Sequence, residues 1–143
     1  MNALKATISH ITQNATVGLV RLECELGTLN ALIITSQEEK SWEVGQSVNA
    51  IFKQTQVLVC GADFIESLQN AKDSIKFAPP TKNCVKSTIT QITQEDILTR
   101  LECQAGIVAL IPSEDFNTLN LAVGQECMWF INPSDILLEL RES

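Results

Sequence analysis

Apolar and polar residues alternate with a period of two through much of this chain, and the alternation breaks at matching places in its two halves. In one such run Val48, Ala50 and Phe52 point one way, and after the polar corner Lys53-Gln54-Thr55 a second run carries Val57 and Val59. A Val-Gly-Gln turn, Val44 to Gln46, feeds the first run. The same order returns at Val123-Gly124-Gln125, followed by Cys127 to Ile131, the corner Asn132-Pro133-Ser134, and Ile136 to Leu138. The chain therefore reads as two copies of one strand-rich unit.

The remaining elements repeat in step. Asn2 to Gln13 (NALKATISHITQ) matches Asn83 to Gln94 (NCVKSTITQITQ), and β-branched alternation predicts a first strand over Lys5–Ile11 and Lys86–Ile92. A second strand is predicted over Val17–Leu26, with Val20, Leu22, Cys24 and Leu26 on one face and Arg21, Glu23 and Glu25 on the other. Its counterpart, Ile97–Ala105, keeps Arg100-Leu101-Glu102-Cys103. Gly27 and Gly106 mark hairpin turns into third strands over Leu29–Thr35 and Ile107–Ile111. Single helical turns follow at Thr35–Lys40 and Ser113–Asn117; Ser36 and Glu39 have the spacing of a capping box, and Ser113 reads as a cap. Gly61 to Pro80 has no counterpart. Phe64, Leu68, Ala71 and Ile75 fall near one helical face there, and Pro79-Pro80 stops any helix. The expected division is a first unit over 1–60, a connector over 61–80, and a second unit over 81–143.

Size and charge narrow the partners. Each half of a 143-residue chain is too small for a generous core of its own, so a homo-oligomer, dimer or higher, is expected. A net charge of −7 without a Lys/Arg cluster argues against nucleic acid and anionic membranes. It does not forbid a small anion, which backbone N–H groups, hydroxyls and a few local cations can hold. No apolar run is long enough to cross a bilayer, and the opening Met1-Asn2-Ala3-Leu4-Lys5-Ala6 lacks the marks of a secretory signal, so the cytoplasm is the expected compartment.

The residues offer little to catalysis or to metals. The five cysteines form no C-x-x-C pair, and His10, the single histidine, is matched by Gln91 in the second copy. Cys24 and Cys103 read as small buried hydrophobes. A non-enzymatic protein without a metal centre is expected. With no Tyr, with its Phe and Trp mostly in apolar contexts and Trp42 the best exposed candidate, the chain lacks the stacking platforms of single-strand binders. Trp129 reads as core.

The tandem pattern resembles the molybdate-binding Mop or molbindin family, part of the wider TOBE group. The best-matching pieces are Asn2-Ala3-Leu4-Lys5, Leu32-Ile33-Ile34-Thr35-Ser36 and Val44 to Thr55, and the resemblance spans nearly everything outside the connector. It implies an all-β fold of two tandem OB-like five-stranded barrels with short helical turns and a connecting helix or loop. It also implies binding of molybdate or tungstate where units or subunits meet, for homeostasis, delivery or sensing. No covalent cofactor is implied, and molybdate-transport or cofactor-synthesis proteins are the implied partners. The P-loop of a transport ATPase, G-x-x-x-x-G-K-[ST], is absent. The other reading is an OB-like structural or nucleic-acid/protein interaction module that has lost the anion.

In the family a Ser-Ala-Arg-Asn motif before the first strand supplies hydroxyl, main-chain and guanidinium donors. The first copy begins at Asn2, after Met1 alone, whereas the second reads Pro80-Thr81-Lys82-Asn83, with Lys for Arg. Lys keeps the charge and loses the planar fork. The family's second element, a Lys followed by small polar residues, is matched by Lys53-Gln54-Thr55 but not by Asn132-Pro133-Ser134. Each copy has lost a different half. The implied oxyanion site therefore joins Thr81, Lys82 and Asn83 from one copy to Thr35, Ser36, Lys53 and Thr55 from another, across an interface within or between chains.

Overall fold

The computed structural model describes residues 1–34, 41–62 and 83–141. In chain order the first copy gives β1 (Asn2–Gln13), β2 (Val17–Cys24), β3 (Gly27–Ile34), β4 (Ser47–Phe52), a 3-10 turn (Gln54–Gln56) and β5 (Val57–Gly61). The second gives β6 (Cys84–Gln94), β7 (Leu98–Cys103), β8 (Val108–Pro112), helix α1 (Ser113–Leu119), β9 (Glu126–Ile131), a 3-10 turn (Pro133–Asp135) and β10 (Leu137–Leu140). The protein is mostly β. Its strands form two five-stranded sheets in the orders β10-β4-β1-β2-β3 and β5-β9-β6-β7-β8. The first-strand predictions lie inside β1 and β6, which run further at both ends because β4 and β9 pair along them from Asn2 and Cys84 onward.

The two orders are the same permutation, with the fifth strand of each repeat exchanged. β10 pairs antiparallel with β4 in the register Leu137↔Ile51 to Leu140↔Val48, and β5 neighbours β9. The compact units are accordingly Met1–Lys53 with Ile131–Ser143, and Gln54–Phe130. These bounds differ from a sequential division at 60 and 80. Hydrophobic alternation identifies strands but carries no information about which of two near-identical edges, β4 or β9, a fifth strand will complete. The connector predicted over 61–80 lies almost wholly outside the described residues, as does the helical turn predicted at Thr35–Lys40.

In the first unit the core is the set of inward positions of the alternating runs. Val48, Ala50 and Phe52 are at most 1% exposed, and Ile8, Val20, Leu22, Leu29 and Ala31 join them. In the second unit Val57, Ile89, Leu101, Cys103, Ala109, Cys127 and Trp129 do the same work. Trp129 buries its ring completely and donates Nε1–H to the Ser87 carbonyl at 3.1 Å, which satisfies its only polar atom. Trp42 is half-buried and Cys24 is half-buried, so the first is less exposed and the second less enclosed than the pattern predicts.

Copy-to-copy identity extends to irregularities. β1 and β6 each shift register once, between Ile8 and His10 and between Ile89 and Gln91. The bulged residues, Ser9 and Thr90, each turn a hydroxyl to a carbonyl of the neighbouring strand, of Arg21 and Glu102, both at 3.3 Å. Ser113 departs from expectation. Pro112 is the N-cap of α1, and the buried Ser113 hydroxyl instead donates to the Glu95 carbonyl at 2.5 Å and meets Thr99 Oγ1 at 2.8 Å. A buried hydroxyl needs such partners, so Ser113 ties the helix to β7 rather than ending it.

Candidate functional site

Of the seven residues expected to hold an anion, Thr35, Ser36, Thr81 and Lys82 lie outside the described residues. Lys53 is exposed and follows β4 directly, and Thr55 is exposed in the middle of the 3-10 turn Gln54–Gln56. Lys53 and Thr55 thus share one tight corner. Asn83 is completely buried, and the equivalent Asn2 is 5% exposed. Register explains both. Asn2 lies opposite Phe52, the residue before Lys53, while Cys84, next to Asn83, lies opposite Phe130. Asn2 thus begins β1 and Asn83 directly precedes β6, and the burial of neither was legible in residues that the sequence assigns to a lead-in turn.

The two corners have the same backbone form and opposite chemistry. Asn132 is an N-cap: its Oδ1 accepts from the Ser134 N–H at 3.0 Å and from the Ser134 hydroxyl at 2.9 Å. The Asp135 N–H goes to the Asn132 carbonyl at 2.9 Å. Where the first corner has Lys53, Gln54, Thr55 and Gln56, the second has Asn132, Pro133, Ser134 and Asp135, so a cation is replaced by a neutral amide and a neutral amide by a carboxylate.

Two cations of the second unit pair with carboxylates. Lys86 Nζ lies 3.3 Å from Glu126, and Arg100 lies 2.6 Å from Glu102 across the wet faces of β6–β9 and within β7. Exposed pairs of this kind add little stability. A cavity of about 520 Å³ in the second unit is lined by Gln94, Glu95, Asp96, Ser113, Glu114 and Asn117. Its three carboxylates oppose a dianion, so it does not suit an oxyanion. Among the described residues no group of three or more His, Cys, Asp or Glu is placed to hold a metal, and no helix is long and apolar enough to cross a membrane. The thiols of Cys60, Cys84 and Cys127 are all pushed up, first by burial, and are poor nucleophiles for that reason.

Comparison with known proteins separates sequence from fold. No family model matches the chain, and none of the curated proteins matches it either. Among solved structures, that of the cytoplasmic molybdate-binding protein ModG, in a form grown from PEG with molybdate bound, superposes with a TM-score of 0.77 at 18% identity. The likeness covers 98% of this chain and 96% of that one. The chain therefore has the fold of ModG, and the doubled β architecture that the molbindin resemblance implied is the architecture it adopts.

Proposed function

We propose that this protein binds a tetrahedral oxyanion, molybdate or tungstate, and carries out no reaction on it. The observation that carries the reading is the near-complete structural likeness to a protein crystallised with molybdate bound. Lys53 and Thr55 at an exposed corner agree with it, since an ammonium and a hydroxyl suit a dianion that offers only acceptors. In this reading Thr35 and Ser36 add donors on the side of Lys53 and Thr55, and Thr81, Lys82 and Asn83 supply further donors from another copy. The buried Asn83 side chain contributes by fixing the start of β6. The role is intracellular homeostasis, delivery or sensing of the ion, alongside transport or cofactor-synthesis proteins.

The reading includes association with further copies of the chain. On the outer face of the β2–β3 hairpin Val17 lies opposite Ile34 and Leu19 opposite Leu32, with all four between 38% and 53% exposed. Cross-strand apolar pairs in water are surface that self-association would cover. Calorimetric titration with molybdate, tungstate and sulfate tests the ligand: heat with the two heavier ions is expected, and no heat with any of the three overturns the reading. Light scattering tests the assembly, with at least a dimer expected.

A further inference from the structure

We propose that Arg141 is the cation of a second anion site, for a phosphate group, built on the outer face of the first unit and separate from the Lys53 corner. The observation that points to a ligand is an orphaned donor. Arg141 Nη1 is cut off from water and has no hydrogen-bond partner, the one buried side-chain nitrogen or oxygen so left among the described residues. A buried donor without an acceptor bears the full cost of its desolvation, and a guanidinium cannot escape that cost by giving up its proton. Among the described residues no carboxylate answers the charge, since the ion pairs there are Lys86 with Glu126 and Arg100 with Glu102.

Register gives its surroundings. The ladder of β10 with β4 reaches Leu140 opposite Val48, and the Arg141 N–H continues it to the Ser47 carbonyl at 3.0 Å. Ser47 in turn lies opposite Thr7 of β1. Because Ala6 and Val48 point into the core, Thr7, Ser47 and Arg141 stand in one row on the other face, on three adjacent strands. Strands lie about 4.8 Å apart, so the row is about 10 Å across, a span that one guanidinium and one tetrahedral anion fill. Neither hydroxyl has a hydrogen-bond partner among the described residues. The row therefore offers donors only. A carboxylate would spend both oxygens on the guanidinium fork, whereas a phosphate group keeps others for Ser47 and Thr7. The nearest carboxylates on this face are offset or engaged: Glu139 lies opposite Asn49, which has Lys5 on its other side, and Glu23, opposite Thr7, accepts from Ser9 and Thr28. Lys53 follows the far end of β4, about 20 Å from Ser47. The second unit has no such row, since Glu126 is opposite Thr88 where Ser47 is opposite Thr7, and Ala62 stands in the repeat for Arg141.

The test is calorimetric titration and thermal unfolding of the full chain in phosphate-free buffer, with inorganic phosphate and glycerol phosphate as probes. Binding and a raised melting temperature are expected for the parent, and the tighter of the two probes assigns the site to the free ion or to a carried phosphate group. Arg141→Gln is expected to weaken phosphate binding at least about tenfold and to leave molybdate uptake unchanged. Without phosphate it is expected to melt no lower than the parent, because the orphaned cation is gone; an arginine with a merely structural role would melt lower on replacement. A parent that responds to neither probe, or an Arg141→Gln chain that binds phosphate as the parent does, overturns the inference. If Lys53→Ala abolishes phosphate binding as well, the two anions share one site, and the inference falls while the oxyanion reading stands. A parent that takes phosphate at Arg141 but no molybdate or tungstate removes the oxyanion reading and upholds this one.

Discussion

The side-chain oxygen of Gln125 accepts the N–H of Ala122 at 3.0 Å, and Gln46 does the same for Glu43 at 2.8 Å. The glycines before them, Gly124 and Gly45, have φ of 89° and 93°, and their amides reach back to the carbonyls of Ile89 and Ile8, both at 2.8 Å. Val-Gly-Gln is preserved between the copies for this reason: glycine enters the left-handed region without a Cβ penalty, and glutamine closes the loop it creates. Gln125→Ala is expected to lower stability by about 0.5–1.5 kcal/mol, the usual net worth of such a hydrogen bond. A shift of the urea midpoint at unchanged slope is the measurement, and an unshifted midpoint would refute it.

Ser113 gives a larger effect. Its hydroxyl is the partner of both the Glu95 carbonyl and the buried Thr99 hydroxyl, whereas the first copy has Gly18, opposite Gln13 as Thr99 is opposite Gln94, and needs no such pair. Ser113→Ala leaves the buried Thr99 hydroxyl short of a bond and is expected to cost about 1–3 kcal/mol. The double variant Ser113→Ala with Thr99→Val, which removes the polar atoms together, is expected to recover part of that loss. Thermal or denaturant unfolding of the pair would reveal the recovery.

Alkaline unfolding tests the interior of the second unit. Burial first, then neighbouring Cys60, Cys103 and Glu126, push the Cys127 thiol up to about 11 from an ordinary 9.0. The unfolded chain releases this proton at the lower value, so unfolding gains as pH rises. The thiol's contribution is intact below pH 9.0 and declines until about pH 11. In Cys127→Ala the fall of stability across that window is expected to be shallower than in the parent, even though the variant starts lower. Equal slopes would mean that Cys127 does not titrate as described.

Charge at the first corner is open to direct measurement. Lys53→Ala and Lys82→Ala are each expected to weaken molybdate binding by at least about tenfold, the loss of a charge-assisted hydrogen bond worth ~1.5–3 kcal/mol. Raising the salt concentration should weaken the parent more than either variant, because part of its affinity is electrostatic. Two variants that bind as the parent does would place the ion elsewhere.

How much of this was legible in the residues depends on what each signal measures. Period-two alternation marked Val48, Ala50, Phe52, Val57 and Val59 as inward, and all five are buried. The repeat located both corners and both Val-Gly-Gln turns because local geometry demands the same residues each time. Partner choice was illegible: Leu137 to Leu140 would suit β9 as well as β4 by hydrophobicity, and only the folded chain assigns them. Polar satisfaction was illegible too. Ser113 has the sequence context of a cap, yet its hydroxyl is consumed across the sheet by residues far away in sequence, and Asn83 is buried although its sequence context predicts a lead-in turn. Side-chain hydrogen bonds between distant segments leave no periodic trace.

The traded fifth strands bear on how the molecule is made. During synthesis β4 emerges with one flank bare and stays so until β10, the whole second copy later, arrives to cover it. Until then the nascent protein carries an open edge able to pair with any extended chain nearby, the hazard that unprotected strand edges present. Maturation of the first sheet is therefore the last event rather than the first. A polypeptide interrupted within the second copy would be released as a sticky intermediate, not as a functional half.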